Sequence, residues 1–145
     1  LGGWRSIPFT GDLPYDLLLD NGEMRVRVQV KLQRREKGVP KLYKAKGVKE
    51  MHGIYAVETQ RTRNGKKGPE GKATRPYRFG EFDVLAVCMQ PVHGNWTTFL
   101  YCAARSLLPR TSDPELIQVL QPVYTDETRG WTKDFSTAAH TALAF

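Results

Sequence analysis

The sequence predicts an α/β or α+β domain, a mixed central sheet with helical cover. Three observations lead there. Over Met24–Leu32, the apolar residues Met24, Val26, Val28, Val30 and Leu32 interleave with Arg25, Arg27, Gln29 and Lys31. That strict alternation has the period of a strand and puts the two sets on opposite sheet faces. Phe82–Met89 is a continuous apolar run rich in Val and Leu, the composition of a central strand buried on both faces. Helix signals gather late in the chain, so strands come first and helices follow.

The other elements are assigned in order. Trp4–Phe9 is expected as a short strand, ended by the turn Thr10-Gly11-Asp12. Tyr15–Asp20 is a second strand, and Asn21-Gly22 after it has the composition of a two-residue hairpin turn. Residues 48–58 have strand character around Gly53-Ile54-Tyr55-Ala56-Val57, and Arg61 to Thr74 form a basic, Gly-rich loop. A strand over Trp96–Ala103 follows the turn around Pro91 and Gly94. Asp113-Pro114 has the form of an N-cap with proline at the first helical position, opening a short helix to about Gln121. A second helix is expected over Phe135–Leu143.

The 145 residues are expected to form one domain, enough chain to bury roughly two-thirds of its unfolded surface. No apolar run approaches the roughly 20 residues a membrane helix needs, and Leu1-Gly2-Gly3-Trp4-Arg5 lacks a leader pattern. Cys88 and Cys102 lie in apolar runs, where free cysteine behaves as a small hydrophobe. A reducing, intracellular setting, cytoplasmic in a prokaryote or phage host, is the expectation. The charge is uneven. Residues 25–78 hold 17 of the 22 Lys and Arg but 4 of the 15 acids, a local +13, while the remainder carries −6. Such asymmetry suits a polyanionic partner.

Chemistry concentrates around the first hairpin. If pairing centres on Asn21-Gly22, residue i lies opposite roughly 43 − i, and Asp16 falls across from Arg27, one same-face step from Gln29. Asp16, Gln29 and Lys31 then converge. A carboxylate with a carbonyl oxygen suits a hard divalent cation, and a neighbouring ammonium can orient a water or stabilise developing negative charge. This is the equipment that phosphodiester hydrolysis requires.

Pro14-x-Asp16, a hairpin, then Gln29-x-Lys31 on an alternating strand resembles the PD-(D/E)XK nuclease superfamily, in the form where glutamine replaces the acidic ligand. Asp16-Leu17-Leu18-Leu19 before the turn and Arg27-Val28-Gln29-Val30-Lys31 after it are most similar to the compact homing endonucleases encoded by cyanobacterial group I introns. The strong match covers about residues 3–35, and Tyr77 through Met89 loosely resembles a buried later strand of such proteins. The resemblance implies a restriction-endonuclease-like fold with Asp16, Gln29 (through its amide oxygen) and the Val30 carbonyl as metal ligands. Lys31 takes the part of the catalytic lysine. Members usually add a glutamate from an upstream helix. The 15 residues before Asp16 contain no Glu, so that helix either precedes Leu1 or has no counterpart.

The expected function is a Mg²⁺- or Mn²⁺-dependent, sequence-specific endonuclease for double-stranded DNA. With one site per chain, cutting both strands calls for a homo-oligomer, a dimer or tetramer. Alternatives are a junction-resolving or repair nuclease of the same fold, and a non-catalytic DNA-binding domain. Phosphate contacts are expected from Arg25, Arg27, Arg34, Arg35 and Lys37, and from Arg61, Arg63, Lys66 and Lys67 of the loop, where Asn64 is a candidate base reader. Glu81 and Asp83 are expected as capping or surface acids. His52, His93 and His140 are expected at structural or surface positions, and Trp4, Trp96 and Trp131 as core or edge aromatics.

Overall fold

The structure is a computed structural model that describes residues 2–44, 54–63 and 73–144, without the side chains of 61–63 and 73–74. Along the chain come β1 (Arg5–Ser6), β2 (Leu17–Asp20), β3 (Arg25–Leu32) and the small ribbon β4 (Arg35–Glu36) and β5 (Val39–Pro40). Then follow β6 (Ile54–Glu58), the hairpin β7 (Gln60–Arg63) and β8 (Ala73–Pro76), and β9 (Val84–Cys88). One helical turn, α1 (Gln90–His93), leads to β10 (Phe99–Ala103) and a 3-10 turn at Ala104–Ser106. The chain ends with β11 (Pro109–Arg110), β12 (Asp113–Ile117), β13 (Leu120–Tyr124), β14 (Trp131–Thr132) and α2 (Phe135–Leu143).

The main sheet has the order β1-β2-β3-β9-β10-β14. β3 and β9 run parallel, Val28 beside Val84 and Lys31 beside Val87, and the other neighbours are antiparallel. This is the mixed sheet the sequence predicts, with the apolar run at its centre: every residue of Val84–Cys88 is buried.

Each face of the sheet has its own core. On one, Leu19, Val26, Val28, Val84, Ala86 and Tyr101 pack against Phe135, Ala138 and Ala139 of α2. Helix α2 begins where expected because Asp134 accepts from the backbone of Ser136 and the hydroxyl of Thr137, satisfying a donor that the first helical turn leaves open. On the opposite face, Leu85, Val87, Leu100 and Cys102 pack against Val57 of β6, Ile117 of β12 and Val123 of β13. Strands form the cover on this side.

The helix expected from Asp113 to about Gln121 is therefore replaced by β12 and the start of β13. Asp113 does cap a turn, accepting from Glu115 N, but the chain then extends. Pro122 would stop a helix after two turns, and Ile117 and Val119 favour strands. In the extended form Ile117 N donates to Tyr77 O and Phe79 N to Glu115 O. The basic loop is also shorter than expected, since β7 and β8 pair Gln60 with Pro76 and Arg63 with Ala73. Trp131 is buried, and Trp4 packs edge-on against Phe135. Trp96, in contrast, is 65% exposed on the turn between β9 and β10.

Candidate active site

The first hairpin closes differently from expectation, and the difference improves the site. Asp20 pairs with Arg25 and Leu17 with Val28, so the loop is the four residues Asn21–Met24. The reason lies in two side chains. Asn21 Oδ1 accepts from Glu23 N and Met24 N, both at 2.9 Å, and Asp20 Oδ1 accepts from Gly22 N at 2.6 Å. These Asx-type bonds leave Asn21 outside the positive-φ region that a two-residue turn demands, and only Gly22 enters it, at φ 94°. The regular pairing ends at Leu17 opposite Val28, so Asp16 meets β3 at Val28 and Val30, in place of lying opposite Arg27.

Asp16 sits just before β2, and both its backbone and its side chain reach β3. Asp16 N donates to Val28 O, and Asp16 Oδ2 accepts from Val30 N, each at 2.9 Å. A backbone carbonyl would normally occupy that second position in an antiparallel ladder; here a carboxylate does. Arg27 O faces β9, accepting from Asp83 N. By alternation the backbone groups of Val28 and Val30 face the β2 edge, so the Val30 carbonyl lies on the same edge as the Asp16 carboxylate.

Gln29 and Lys31 share the face covered by β6 and β13, and the covering changes both. Gln29 is 5% exposed. Its amide makes no hydrogen bond among the described residues. Lys31 is half-buried. Its Nζ donates to Gln60 O at 3.1 Å and lies 5.8 Å from the centre of the Tyr77 ring. Burial pushes the ammonium below the usual lysine range, opposed by the negative charge of Asp16.

The donor set fits a small, hard cation. Asp16 supplies a carboxylate, Gln29 a buried amide without a hydrogen-bond partner among the described residues, and Val30 a carbonyl on the same strand edge. Oxygen donors of this kind suit Mg²⁺, which keeps several of its waters and binds through few protein ligands. Among the described residues, no three His, Cys, Asp or Glu side chains gather into an alternative metal cage.

The two acids near β9 have other employment. Asp83 receives Arg27 in a two-pronged ion pair, Nη2 to Oδ1 at 2.9 Å and Nε to Oδ2 at 3.1 Å, and also accepts from Arg27 N at 2.8 Å. Glu81 receives Arg75 in the same two-pronged manner and accepts from Arg78 N at 2.7 Å. Both act as capping and pairing acids.

The basic residues expected at phosphates divide into groups. Arg27 has its guanidinium committed to Asp83 and raised above its usual pKa by that bond. Arg25 is exposed while pairing with Asp20, and Arg34 pairs with Glu58. Arg35 donates to Gln90 Oε1 at 3.3 Å, and Lys37 occupies an exposed turn with φ 53°. Arg61 and Arg63 are on β7, side chains undescribed; Lys66, Lys67, Asn64 and His52 lie outside the described residues. His93 and His140 are exposed. Cys88 and Cys102 are buried free thiols. The surroundings of Lys31 were not foreseen, because Gln60 and Tyr77 reach it only through tertiary packing.

A mixed sheet whose parallel central pair carries Gln29-x-Lys31, with an aspartate clasped to the same strand, defines a class of nuclease folds. Residues 2–95 match the PD-(D/E)XK endonuclease family, and the chain belongs to it. Among solved structures, the chain is similar to a bacterial homing endonuclease, I-Ssp6803I, at 26% identity and a TM-score of 0.39. That match covers 70% of this chain and 54% of the other, so the chain spans about half the length of the protein it matches. No curated protein matches. Among the described residues, no helix is long and apolar enough to cross a membrane.

Proposed function

We propose that this chain carries the catalytic site of a metal-dependent endonuclease that cleaves double-stranded DNA. The observation that carries this reading is the clasp of Asp16 on Val30 N beside Gln29 and Lys31. Asp16, the Gln29 amide oxygen and the Val30 carbonyl would hold Mg²⁺ or Mn²⁺. When bound, such an ion polarises the phosphoryl group and lowers the pKa of a water.

The protein's own residues have distinct tasks. Val30 N–H orients the Asp16 carboxylate through Oδ2 before any ion arrives, which reduces reorganisation on binding. Lys31 presents a partly desolvated ammonium, a stronger electrostatic partner for a pentacovalent phosphoryl group or its attacking water than a surface lysine. Gln29 contributes no charge, so the site should bind its metal more weakly than one with a second carboxylate. The local +13 of residues 25–78 suits the DNA backbone. One site per chain makes a homo-oligomer the simplest route to cutting both strands.

The test is plasmid cleavage with Mg²⁺ by the wild type, Asp16→Asn and Lys31→Ala. Asparagine keeps an oxygen for Val30 N while removing the charge, which separates metal binding from strand closure. Each substitution should lower the cleavage rate by about 100-fold or more, and EDTA should abolish it. Unchanged cleavage in either variant would sink the assignment. Salt-sensitive DNA binding with no metal-stimulated cleavage would mark a non-catalytic domain, and preference for branched over linear DNA would mark a junction-resolving enzyme.

A further inference from the structure

Lys31 is held by both feet of the β7–β8 hairpin. Gln60 opens β7 and supplies the carbonyl that accepts from Lys31 Nζ at 3.1 Å. Pro76, paired with Gln60, closes β8, and the next residue, Tyr77, supplies the ring under the ammonium. A cation 5.8 Å from a ring centre is within the range of a cation–π contact.

The two feet are pinned to one short stretch of chain. Thr59, fully buried, shares its one hydroxyl hydrogen between Gln118 O at 3.1 Å and Val119 O at 2.9 Å, and its N–H donates to Val119 O at 2.7 Å. On the other side, Ile117 N donates to Tyr77 O at 2.7 Å, and Phe82 meets the Tyr77 ring edge-on at 5.2 Å. Residues 117–119 thereby set the positions of a carbonyl and an aromatic face at once. They lie beyond the residues 2–95 that match the family, so this chain supplies the support from outside the matched region.

We propose that Gln60 O and the Tyr77 ring form a socket that positions Lys31, with Tyr77 as a positioning residue for the catalytic lysine. The socket leaves two of the three ammonium hydrogens for the reacting phosphate while fixing the direction of the third. The proposal rests on the nuclease reading above for its catalytic meaning, though its geometry does not.

The experiment combines spectroscopy and single-turnover kinetics on the full chain. In protein carrying ¹³C-lysine, the Lys31 ε-methylene signal, assigned by its disappearance in Lys31→Arg, should be shifted upfield by the ring. It should also show a nuclear Overhauser effect to the Tyr77 ring protons in the wild type, before any variant is needed. Tyr77→Phe keeps the ring and should retain the shift. Tyr77→Leu should abolish the shift and slow single turnover by about tenfold, the order expected of one desolvated cation–π interaction, with the DNA Kd without metal unchanged. A wild-type Lys31 signal with neither shift nor Overhauser effect overturns the proposal, even if Tyr77→Leu fails to fold. So does a folded Tyr77→Leu that cleaves normally while Lys31→Ala is inactive. If Lys31→Ala itself cleaves normally, the nuclease assignment falls, and the spectroscopic result still decides the socket.

Discussion

Arg27 was expected on DNA and is found on Asp83, which makes this pair the sharpest place to test the structure. Side-chain exposure is 36% for Arg27 and 13% for Asp83. Removing one member of a fully buried pair costs about 3–5 kcal/mol, because the other stays behind as an uncompensated charge. Exposed pairs contribute about 0–1 kcal/mol. The burial of the member left behind therefore decides the cost. In Asp83→Ala the orphan is Arg27, a third of which can regain water, so about 1.5 kcal/mol is expected. In Arg27→Ala the orphan is the less exposed carboxylate, which keeps the Arg27 N–H as a partner, so the cost rises to about 2.5 kcal/mol. For a chain of this length, Tm should fall by about 4 °C and 7 °C respectively. Calorimetry gives the order of the two variants, and DNA titration at several salt concentrations gives the second half of the answer. If Arg27 bound a phosphate, Arg27→Ala would lower the salt slope by about one, whereas a structural clamp leaves it unchanged. A Tm within about 1 °C of wild type, together with a reduced slope, would refute the clamp and restore Arg27 to the DNA.

Two further outcomes follow from buried groups. Gln33, 1% exposed, points Nε2 at the carbonyls of Lys41 and Ala56, each at 3.2 Å, and at that of Arg34, which share its two hydrogens. Those carbonyls already close a ring of backbone bonds, Arg34 N to Ala56 O, Ala56 N to Lys41 O and Lys41 N to Arg34 O, and Gln33 Oε1 has no partner among the described residues. Gln33→Leu should therefore cost only about 1 kcal/mol and Gln33→Ala about 3 kcal/mol, the excess being cavity, as read from urea midpoints. The pH profile of stability should fall at both ends. Gly22 N–H, followed by Arg25, holds the Asp20 carboxyl below the usual range. That contribution is present above the unfolded pKa of about 3.9 and is lost as pH falls through the lower folded value. Burial pushes the Cys102 thiol up from 9.0 to about 12, so its contribution is full below pH 9 and is lost between there and about 12. Cys102→Ala should flatten the alkaline limb, and thiol reagents should label Cys102 only on unfolding. Rapid labelling of the native protein would contradict the packing.

How much was legible depends on the range of the interaction. Period-two alternation located β3, and an unbroken apolar run located β9, because both signals are local. The alternation was silent on one point, which faces are covered: Gln29 is 5% exposed on the face it shares with Leu85 and Val87, where the strand cover packs. The helix expected from Asp113-Pro114 failed for a related reason. The N-cap signal was real, but the backbone partners Tyr77 and Phe79, distant in sequence, drew the following residues into extended form. The socket around Lys31 left no local trace, since neither a main-chain carbonyl nor a packed ring is announced by spacing.

The hairpin register shows why the site itself survived an error in its derivation. Expectation placed Asp16 opposite Arg27, whereas the observed pairing ends at Leu17 opposite Val28 and Asp16 bonds to Val28 and Val30 just beyond it. The paired register slips by two residues, Leu17 meeting Val28 in place of Val26, which preserves the face of each β2 residue; a slip of one would have exchanged the two faces. Parity, then, is what the chemistry requires, and two independent features secure it. The apolar set of β3 must face α2, while Asp16 must meet Val30 N from the β2 edge. Proline at position 14 brings no N–H to compete along that edge. The same contact that closes the strand thus aims the carboxylate, so folding and the assembly of the proposed metal site are one event.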